Sequence, residues 1–369
     1  MNPTIEITAI RVRPLLVPMR RPLATAVGMF THGPFLAIDL ETKGGATGRV
    51  LGFTFARLGL KVVPPVLEAL AEFAKGKAIT FDGIERFHDA CQKHLTLLGH
   101  EGVTQMALSM FDMAVHDALA QEAGVPLYRL LGGTATPIPA YNSCGLGHLA
   151  PEAAAREAKA LAAEHGGFTH VKMRLGRQRF ADDVAALRAV RETLGPTFTL
   201  SVDFNQALAT ADALEACRAI DGLGLAWIEE PIVYDDYPAH ARLAAKLVTP
   251  LQIGENWWGW RVGKQAIEMH ACDLIMPDIL RIGGITGWRR LARAAEMAAM
   301  PFSSHLSPEY SAHALAATPT RHWLEYMDWG QDLITDPLVP EGGFATPRET
   351  PGAGIQWNEA AIARLGAGG

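Results

Sequence analysis

The chain has 369 residues, of which 49% are hydrophobic and 20% are charged, and its formal net charge is −6. This balance is typical of a globular protein with a large core. It argues against a nucleic-acid partner, because no dense basic patch is present. No run approaches the roughly 20 apolar residues of a membrane span, and the first residues, MNPTIEITAI, do not resemble a secretion signal.

The cysteine pattern adds to this picture. The four cysteines lie far apart in the chain, without the close pairs of a metal or redox motif: Cys91, Cys144, Cys217 and Cys272. Scattered thiols are typical of a reducing compartment. We therefore expect a cytoplasmic protein without a membrane partner.

Residues 1–125 predict an α+β domain. Apolar and polar residues alternate over residues 5–12, and the stretches PFLAIDLET and ATGRVLGFTF follow the same pattern, which predicts three antiparallel strands. Lys43-Gly44-Gly45 marks the second turn. Three stretches with apolar residues three and four positions apart then predict helices.

Residues 126–330 change to repeated strand and helix units. Eight short β-type segments alternate with alanine-rich helical ones: IPAYNS, THVKM, TLSVD, LAWIE, LQIGE, DLIMP, PFSSH and HWLEY. Eight such units over about 200 residues predict a barrel rather than an open sheet. Residues 331–369 are rich in glycine and proline, and we expect them to return to the first domain.

Three acidic residues close successive predicted strands at equal spacing. Asp203, Glu229 and Glu255 are separated by 26 residues at each step. The carboxyl ends of barrel strands converge on one face, where three carboxylates would repel one another unless a cation lay between them. Oxygen ligands favour Mg²⁺, with Mn²⁺ as an alternative. Asp203 alone is equally consistent with a helix N-cap, and the strand alternation predicts that Glu230 points away from the site.

Other predicted strand ends also carry polar side chains. Lys172 and Arg174 are two positions apart and therefore share one face of a strand. Asn205 follows Asp203 by two positions. Asp278 and His305 end adjacent strands, where a carboxylate fixes the tautomer of an imidazole and raises its basicity.

These motifs resemble those of a known family. The chain is similar to the mandelate racemase subgroup of the enolase superfamily over nearly its whole length. The matching motifs occur in the family's order: TAVG, FLAIDLET, VKMRLG, VDFNQ, WIEEP, GENW, MPDILRIGGITGW, SSHLSPE, SAHALAATPT and HWLE. The resemblance implies a modified (β/α)8 barrel with an N-terminal α+β capping domain that the C-terminal segment completes. It also implies a Mg²⁺-dependent enzyme that forms homo-octamers or dimers.

The resemblance implies a role for each matched position. Asp203, Glu229 and Glu255 correspond to the metal ligands, and Lys172 to a contact of the substrate carboxylate. Asn205 corresponds to a partner of the substrate's α-oxygen. His305 with Asp278 corresponds to the base that removes the α-proton, and Glu325 to an acid that hydrogen-bonds the carboxylate as it becomes an enediolate. The implied substrate is a small hydroxy carboxylate.

Arg174 departs from the family pattern, which has a second lysine here as the base for the opposite face. A guanidinium stays protonated under nearly all conditions, so this role is unsuited to it. One-base chemistry with His305 favours dehydration of an acid sugar. The alternatives are racemisation of a 2-hydroxy acid of mandelate type and a non-catalytic binding protein.

Residues 19–30 are expected to cover the barrel mouth. Within them Val27 and Phe30, together with Leu23 and Met29, predict an apolar lining. Several polar residues predict instead a contact with hydroxyls or a second carboxylate: Arg20, Arg21, Thr25, His32 and Arg57. Ser143 and Tyr141, on the first barrel strand, are further candidates for substrate contact.

Overall fold

The computed structural model describes residues 2–367. Its N-terminal part is a four-stranded antiparallel sheet with the order β3-β2-β1-β4. The strands are β1 Thr4–Thr25, β2 Gly28–Thr42, β3 Thr47–Phe53 and β4 Ala78–Thr80. The helices of this part and the connection after it are α1 Gly59–Ala74, α2 Ile84–His94, α3 Val103–Glu122 and α4 Leu127–Leu130. The predicted three-stranded meander is present, and its first two strands extend into a long hairpin.

The following residues alternate strands and helices. Seven strands are parallel: β5 Ile138–Asn142, β6 His170–Arg174, β7 Thr199–Asp203, β8 Ile228–Glu229, β9 Leu251–Ile253, β10 Leu274–Ile275 and β11 Leu324–Tyr326. The helices are α5 Pro151–Ala163, α6 Phe180–Leu194, α7 Ala213–Asp221, α8 Tyr237–Ala244, α9 Trp260–Glu268, α10 Gly284–Met297, α11 Pro308–Ala316 and α12 Glu359–Leu365. Short 3₁₀ turns cover Phe81–Gly83, Thr96–Leu98, Glu164–Gly166 and Gln331–Leu333. The predicted fold class is confirmed.

The predicted strand PFSSH is reduced to isolated bridges. Phe302 bridges Ile275 on one side and Arg321 on the other. The Ser303 N–H donates to the Ile275 carbonyl at 2.8 Å, and the His322 N–H donates to the Phe302 carbonyl at 2.8 Å. Pro301 has no N–H to add to a ladder, so this segment joins β10 to the region before β11 without forming a regular strand.

The strand register aligns the polar residues at one rim of the barrel. Arg174 pairs with Asp203 across β6 and β7, and Asp203 pairs with Glu229 across β7 and β8. Asp278 and His305 form a parallel bridge farther round. Side chains that are distant in the sequence therefore project from the same level of the sheet.

The C-terminal segment contacts both parts of the molecule. Strand β12 Phe344–Ala345 pairs antiparallel with β5 of the barrel. The Trp357 indole donates to Asp39 Oδ1 at 2.7 Å, and the Ala367 N–H donates to the Pro14 carbonyl at 3.0 Å. The boundaries at 125 and 330 remain predictions.

Gly283 and Gly284 form a joint between the N-terminal part and the barrel. A Cβ on Gly284 would lie 2.6 Å from Asp112 Oδ2 of α3. The same oxygen accepts the Thr286 N–H of α10 at 2.9 Å, and the other Asp112 oxygen pairs with His88 Nδ1 at 2.9 Å. The chain's own carboxylate thus interacts with the N-terminus of α10, so close packing explains the two glycines.

Two further sequence expectations concern cysteines and membrane spans. The four cysteines are buried free thiols. Within residues 2–367, no helix combines the length and apolar character needed to cross a bilayer.

Candidate active site

Three buried carboxylates meet at the rim of the barrel. One oxygen each of Asp203, Glu229 and Glu255 lies within 4.8 Å of the others. Burial and the neighbouring charges of Asp203 and Glu255 raise the pKa of Glu229 to about 8, although Lys172 opposes this. Three buried carboxylates repel one another when all are ionised, and they offer only oxygen ligands. Both properties fit a hard divalent cation such as Mg²⁺. That these residues are its ligands stays a prediction.

Lys172 lies at the centre of the acidic cluster and is 1% exposed. Its ammonium is 2.6 Å from Glu229 Oε1, 2.8 Å from Glu325 Oε1 and 3.7 Å from Asp203 Oδ2. Burial alone would lower the pKa of Lys172, but Glu229 and Glu325 outweigh it and raise that pKa well above its usual range. Lys172 is therefore a fixed cation rather than a base.

His305 and Asp278 form a hydrogen-bonded pair. His305 Nδ1 is 2.6 Å from Asp278 Oδ2, and Asp278 Oδ1 accepts the Leu280 N–H at 2.6 Å. His305 Nε2 faces Glu255 Oε2 at 3.2 Å. Burial would lower the pKa of His305, but Glu255, Glu325 and Asp278 raise it to about 9. The arrangement makes His305 a basic imidazole with a fixed orientation.

Arg174 is held by neutral oxygens and is 5% exposed. Its guanidinium donates to the carbonyls of Ser143 and Gly145 and to Ser143 Oγ, each at 2.7 Å. Ser143 Oγ in turn donates to Glu325 Oε1 at 2.8 Å. Ser143 therefore lies behind Arg174 and Glu325 and fixes the position of both.

Glu325 accepts hydrogen bonds from several directions. In addition to Ser143 and Lys172, its Oε2 accepts the Leu306 N–H at 3.0 Å. Burial alone would raise the pKa of Glu325, but Lys172, His305 and Arg174 hold it well below its usual range. Lys172, its direct partner, is the main cause of this lower pKa. The role of Glu325 as an acid towards the substrate stays a prediction.

Glu230 does not point away from the site. Its φ of 35° departs from the extended conformation, so the alternation of the strand stops at Glu229. Glu230 is fully buried, and its Oε2 accepts from Asn256 Nδ2 at 2.6 Å. Burial and the charges of Glu255 and Asp203 raise the pKa of Glu230 well above its usual range. The expectation that Glu230 points away was wrong because the backbone turns immediately after Glu229, the first glutamate of the WIEEP motif.

Asn205 also lies beside the carboxylates. Its φ is 44°, and its Nδ2 donates to Asp203 Oδ2 at 2.8 Å. Within residues 2–367, no hydrogen-bond donor reaches the buried Asn205 Oδ1. This oxygen is available to a hydroxyl in the cavity.

A cavity of about 240 Å³ opens above these groups. We define its polar floor as the barrel residues Lys172, Arg174, Asp203, Glu255, His305 and Glu325. We define its aromatic wall as Phe30, Phe53, Phe55 and Trp329, which lie in the hairpin, at the end of β3, in the loop after β3 and in the segment after β11. Val27 and Leu23 also line the cavity, together with Thr25.

Most of the polar candidates from the first domain lie elsewhere. Arg20 pairs with Asp332 at 2.6 Å, and Arg21 pairs with Glu164. His32 is exposed and pairs with its neighbour Thr31 at 3.0 Å, and Arg57 is exposed. Met29 is 64% exposed.

Some cavity residues were not anticipated from the sequence. Phe53, Phe55, Met327, Trp329 and Arg281 line the cavity, but we had not assigned any of them to the site. Arg281 Cζ lies 3.7 Å from the centre of the Phe55 ring. Phe55 and Arg281 are 226 residues apart in the chain, so sequence spacing gave no indication of their contact.

Comparison with protein families agrees with this fold. Residues 6–132 match the mandelate racemase/muconate lactonizing enzyme N-terminal domain, and residues 153–361 match the enolase C-terminal domain-like family. The chain belongs to the mandelate racemase/muconate lactonizing enzyme family of the enolase superfamily.

Individual relatives define the class further. The chain is 33% identical to L-talarate/galactarate dehydratase of Salmonella typhimurium over 72% of this chain and 66% of that enzyme. It is 30% identical to 3,6-anhydro-alpha-L-galactonate cycloisomerase of Streptomyces coelicolor over 95% and 97% of the two chains. A solved enolase from Bradyrhizobium, complexed with magnesium and mandelic acid, is 39% identical with a TM-score of 0.93, covering 99% of each chain.

These relatives are enzymes, and magnesium is bound in solved members. The protein is a Mg²⁺-dependent enzyme of the enolase superfamily. This sets the non-catalytic alternative aside.

Proposed function

We propose that the protein dehydrates a 2,3-dihydroxy carboxylate of the acid-sugar class, with His305 as the single base. One observation carries the proposal: the cavity floor holds one imidazole–carboxylate pair, whereas Arg174 is fixed by the Ser143 and Gly145 carbonyls at 2.7 Å. A guanidinium fixed in this way supplies charge but accepts no proton. The dehydratase relative of 33% identity supports the same reaction class.

The floor residues divide the work of the reaction. Mg²⁺ bound to Asp203, Glu229 and Glu255 would supply positive charge to the substrate carboxylate, which becomes more basic as the α-proton leaves. Lys172 and Arg174 add fixed positive charge on the same side. The substrate carboxylate competes with Glu325 for Lys172, which weakens the ion pair that keeps Glu325 ionised. Glu325 is then more easily protonated and can donate a hydrogen bond to the substrate carboxylate.

The proton transfers balance with one base. His305 Nε2 takes the proton from C2, and the electron pair of the C2–H bond enters the C1–C2 bond to form the enediolate. The carboxylate is restored as this pair forms the C2–C3 double bond and the C3–O bond breaks. The imidazolium returns this proton to the leaving hydroxyl, which departs as water. The enol then becomes a 2-keto-3-deoxy acid. Asp278 holds the imidazole orientation throughout.

Incubation in D₂O with Mg²⁺ and a library of acid sugars and 2-hydroxy acids tests the proposal. We expect a 2-keto-3-deoxy acid, detected as its semicarbazone. Lack of both keto acid and α-deuterium exchange across the library would refute the proposed chemistry.

Racemisation is the second candidate, because the 39% identical relative holds mandelic acid, a 2-hydroxy acid without a β-hydroxyl. On this alternative the wild-type protein would exchange the α-proton with inversion and release no keto acid. The variant Arg174→Lys tests whether the side chain at position 174 decides between dehydration and racemisation. If Arg174 is what excludes a second base, lysine here should introduce exchange at the opposite face, measured by NMR of each product enantiomer. The matched control is Arg179→Lys, since Arg179 is a surface residue paired with Asp182.

A further inference from the structure

Two neutral side chains inside the barrel donate hydrogen bonds to the carboxylate of Glu229. We propose that Trp227 and Gln252 are positioning residues for Mg²⁺ binding: they hold one oxygen of Glu229 in place and so keep the carboxylate oriented for the metal. The inference rests on Glu229 as a predicted metal ligand. It goes beyond the proposed function, because it holds for dehydration and for racemisation alike.

Both side chains donate to the same oxygen. The Trp227 indole Nε1 lies 3.0 Å from Glu229 Oε2, and Gln252 Nε2 lies 3.3 Å from the same oxygen. Glu229 Oε1 is instead 2.6 Å from the Lys172 ammonium, which is itself 3.7 Å from Asp203 Oδ2. The two oxygens therefore have different surroundings: two neutral donors bind Oε2, and Oε1 lies on the side of the other charged groups.

The strand geometry explains why these two residues reach Glu229. Trp227 precedes Glu229 by two positions, so the two side chains lie on the same side of the chain as it enters β8. Gln252 is the direct partner of Glu229 across the parallel strands β8 and β9. All three residues are fully buried. The register of the barrel, and not a loop, sets these contacts.

Aromatic packing fixes the orientation of the Trp227 indole. Its ring centre lies 4.7 Å from that of His170 and 5.4 Å from that of Tyr141, both in edge-to-face arrangements. A glutamate that is free to rotate loses rotamer freedom when a metal fixes it. A rigid donor that holds Glu229 in advance removes this cost from metal binding.

Gln252 keeps its N–H group on Glu229 at an energetic cost. The other end of its amide, Oε1, is buried, and within residues 2–367 no hydrogen-bond donor reaches it. A buried carbonyl oxygen without a partner is unfavourable. A methionine would fill a similar volume without such an oxygen, so packing alone does not account for an amide at this position. Its interaction with Glu229 does account for it.

The test compares matched losses of a buried indole N–H group. Trp227→Phe removes the donor to Glu229. Trp288→Phe is the control, since Trp288 is also buried, at 1% exposed, and its Nε1 donates to the Thr318 hydroxyl at 2.9 Å instead of to a carboxylate. Gln252→Met is the second test variant, because methionine has a similar length and no N–H group in its side chain.

Isothermal titration calorimetry with Mg²⁺ measures the metal affinity of each variant, and thermal unfolding of the metal-free protein measures its Tm. We expect the Kd for Mg²⁺ to rise about tenfold or more in Trp227→Phe and in Gln252→Met, the usual loss when a residue that orients a metal ligand is changed. In Trp288→Phe the Kd should stay at the wild-type value. Both Trp→Phe variants lose one buried hydrogen bond, so the metal-free Tm should fall in both.

Glu229→Gln separates a failure of this inference from a failure of the ligand set. Wild-type Mg²⁺ affinity in Trp227→Phe and Gln252→Met, with weak binding in Glu229→Gln, would overturn the inference and leave the ligand set standing. An equal loss of affinity in Trp288→Phe would also overturn it, because a loosened core would then be a sufficient cause. Wild-type affinity in Glu229→Gln would overturn the ligand set and the inference together. None of these outcomes depends on which product forms, so the proposed function is tested separately.

Discussion

The polar floor and the aromatic wall of the cavity are built in different ways. The floor consists of charged groups on strand ends of one barrel, and its ion pairs have distances of 2.8–3.8 Å. The wall consists of apolar rings from the N-terminal part and from the segment after β11. The difference teaches that the floor defines the reaction, whereas the wall can select the substrate without altering the reacting groups.

The largest expected effect is at the floor. His305→Asn removes the base but keeps a neutral side chain of related shape. We expect kcat and α-deuterium exchange to fall by about 10²–10⁴-fold, the contribution of a positioned general base. NMR exchange in D₂O measures this, and unchanged Mg²⁺-dependent binding of substrate is the control. Exchange at the wild-type rate would remove His305 from the floor's chemistry.

The floor and the wall can form one cavity only if the N-terminal part and the barrel are fixed relative to each other. A variant of Asp112, which contacts both parts, tests how much this contact stabilises the protein. Asp112→Asn should lower the free energy of unfolding by about 3 kcal/mol, because it weakens a buried network with His88, His116 and the Thr286 N–H. Urea denaturation measures the change. Glu122→Gln, at the exposed end of the same helix, is the control.

We also expect the loss of stability in Asp112→Asn to depend on pH. Burial alone would raise the pKa of Asp112, but His116 and His88 hold it well below its usual range. A depressed carboxyl pKa contributes stability above the unfolded-state pKa of about 3.9, and this contribution is lost as the pH falls towards the folded-state pKa. The stability difference between wild type and Asp112→Asn should therefore narrow below about pH 4. A constant difference down to acid unfolding would contradict the assigned charge.

The effect of Mg²⁺ on thermal stability should differ between variants of the metal-ligand carboxylates and variants of the wall. Binding of Mg²⁺ to the folded chain should add about 2.7 kcal/mol at a free concentration of roughly 100 times its Kd. Thermal unfolding with Mg²⁺ and with EDTA measures this. Glu229→Gln should lose the Mg²⁺-dependent rise in Tm, whereas Phe30→Ala should retain it. An equal rise in Glu229→Gln would argue against the proposed ligand set.

The smallest effect is expected at the edge of the wall. Val27 is 71% exposed although it lines the cavity. Val27→Ala should change the free energy of unfolding by less than about 0.5 kcal/mol, with a small rise in KM and no change in kcat. A large fall in kcat would show that the wall takes part in the chemistry and would break the distinction from the floor.

The fold class followed from the sequence because alternating β-type and alanine-rich segments repeat at short intervals. The weakest of the eight predicted strands was PFSSH, where Pro301 removes a donor and only bridges form. The residues near the metal site followed from position as well: Asp203, Glu229 and Glu255 each follow a run of apolar residues. Parallel register then places such ends at one rim.

What the sequence determined by itself is which residues end the barrel strands, since strand length and side-chain alternation are local properties of the chain. The tertiary structure alone decided three things: the turn at Glu230, the fixing of Arg174 by neutral carbonyls, and the meeting of Phe55, Arg281 and Trp329 around one cavity. These depend on backbone turns and on contacts between distant segments, which local patterns do not encode. The floor and Phe30 of the wall could therefore be assigned from spacing and motif, but Phe53, Phe55 and Trp329 were recognised as wall residues only in the folded chain.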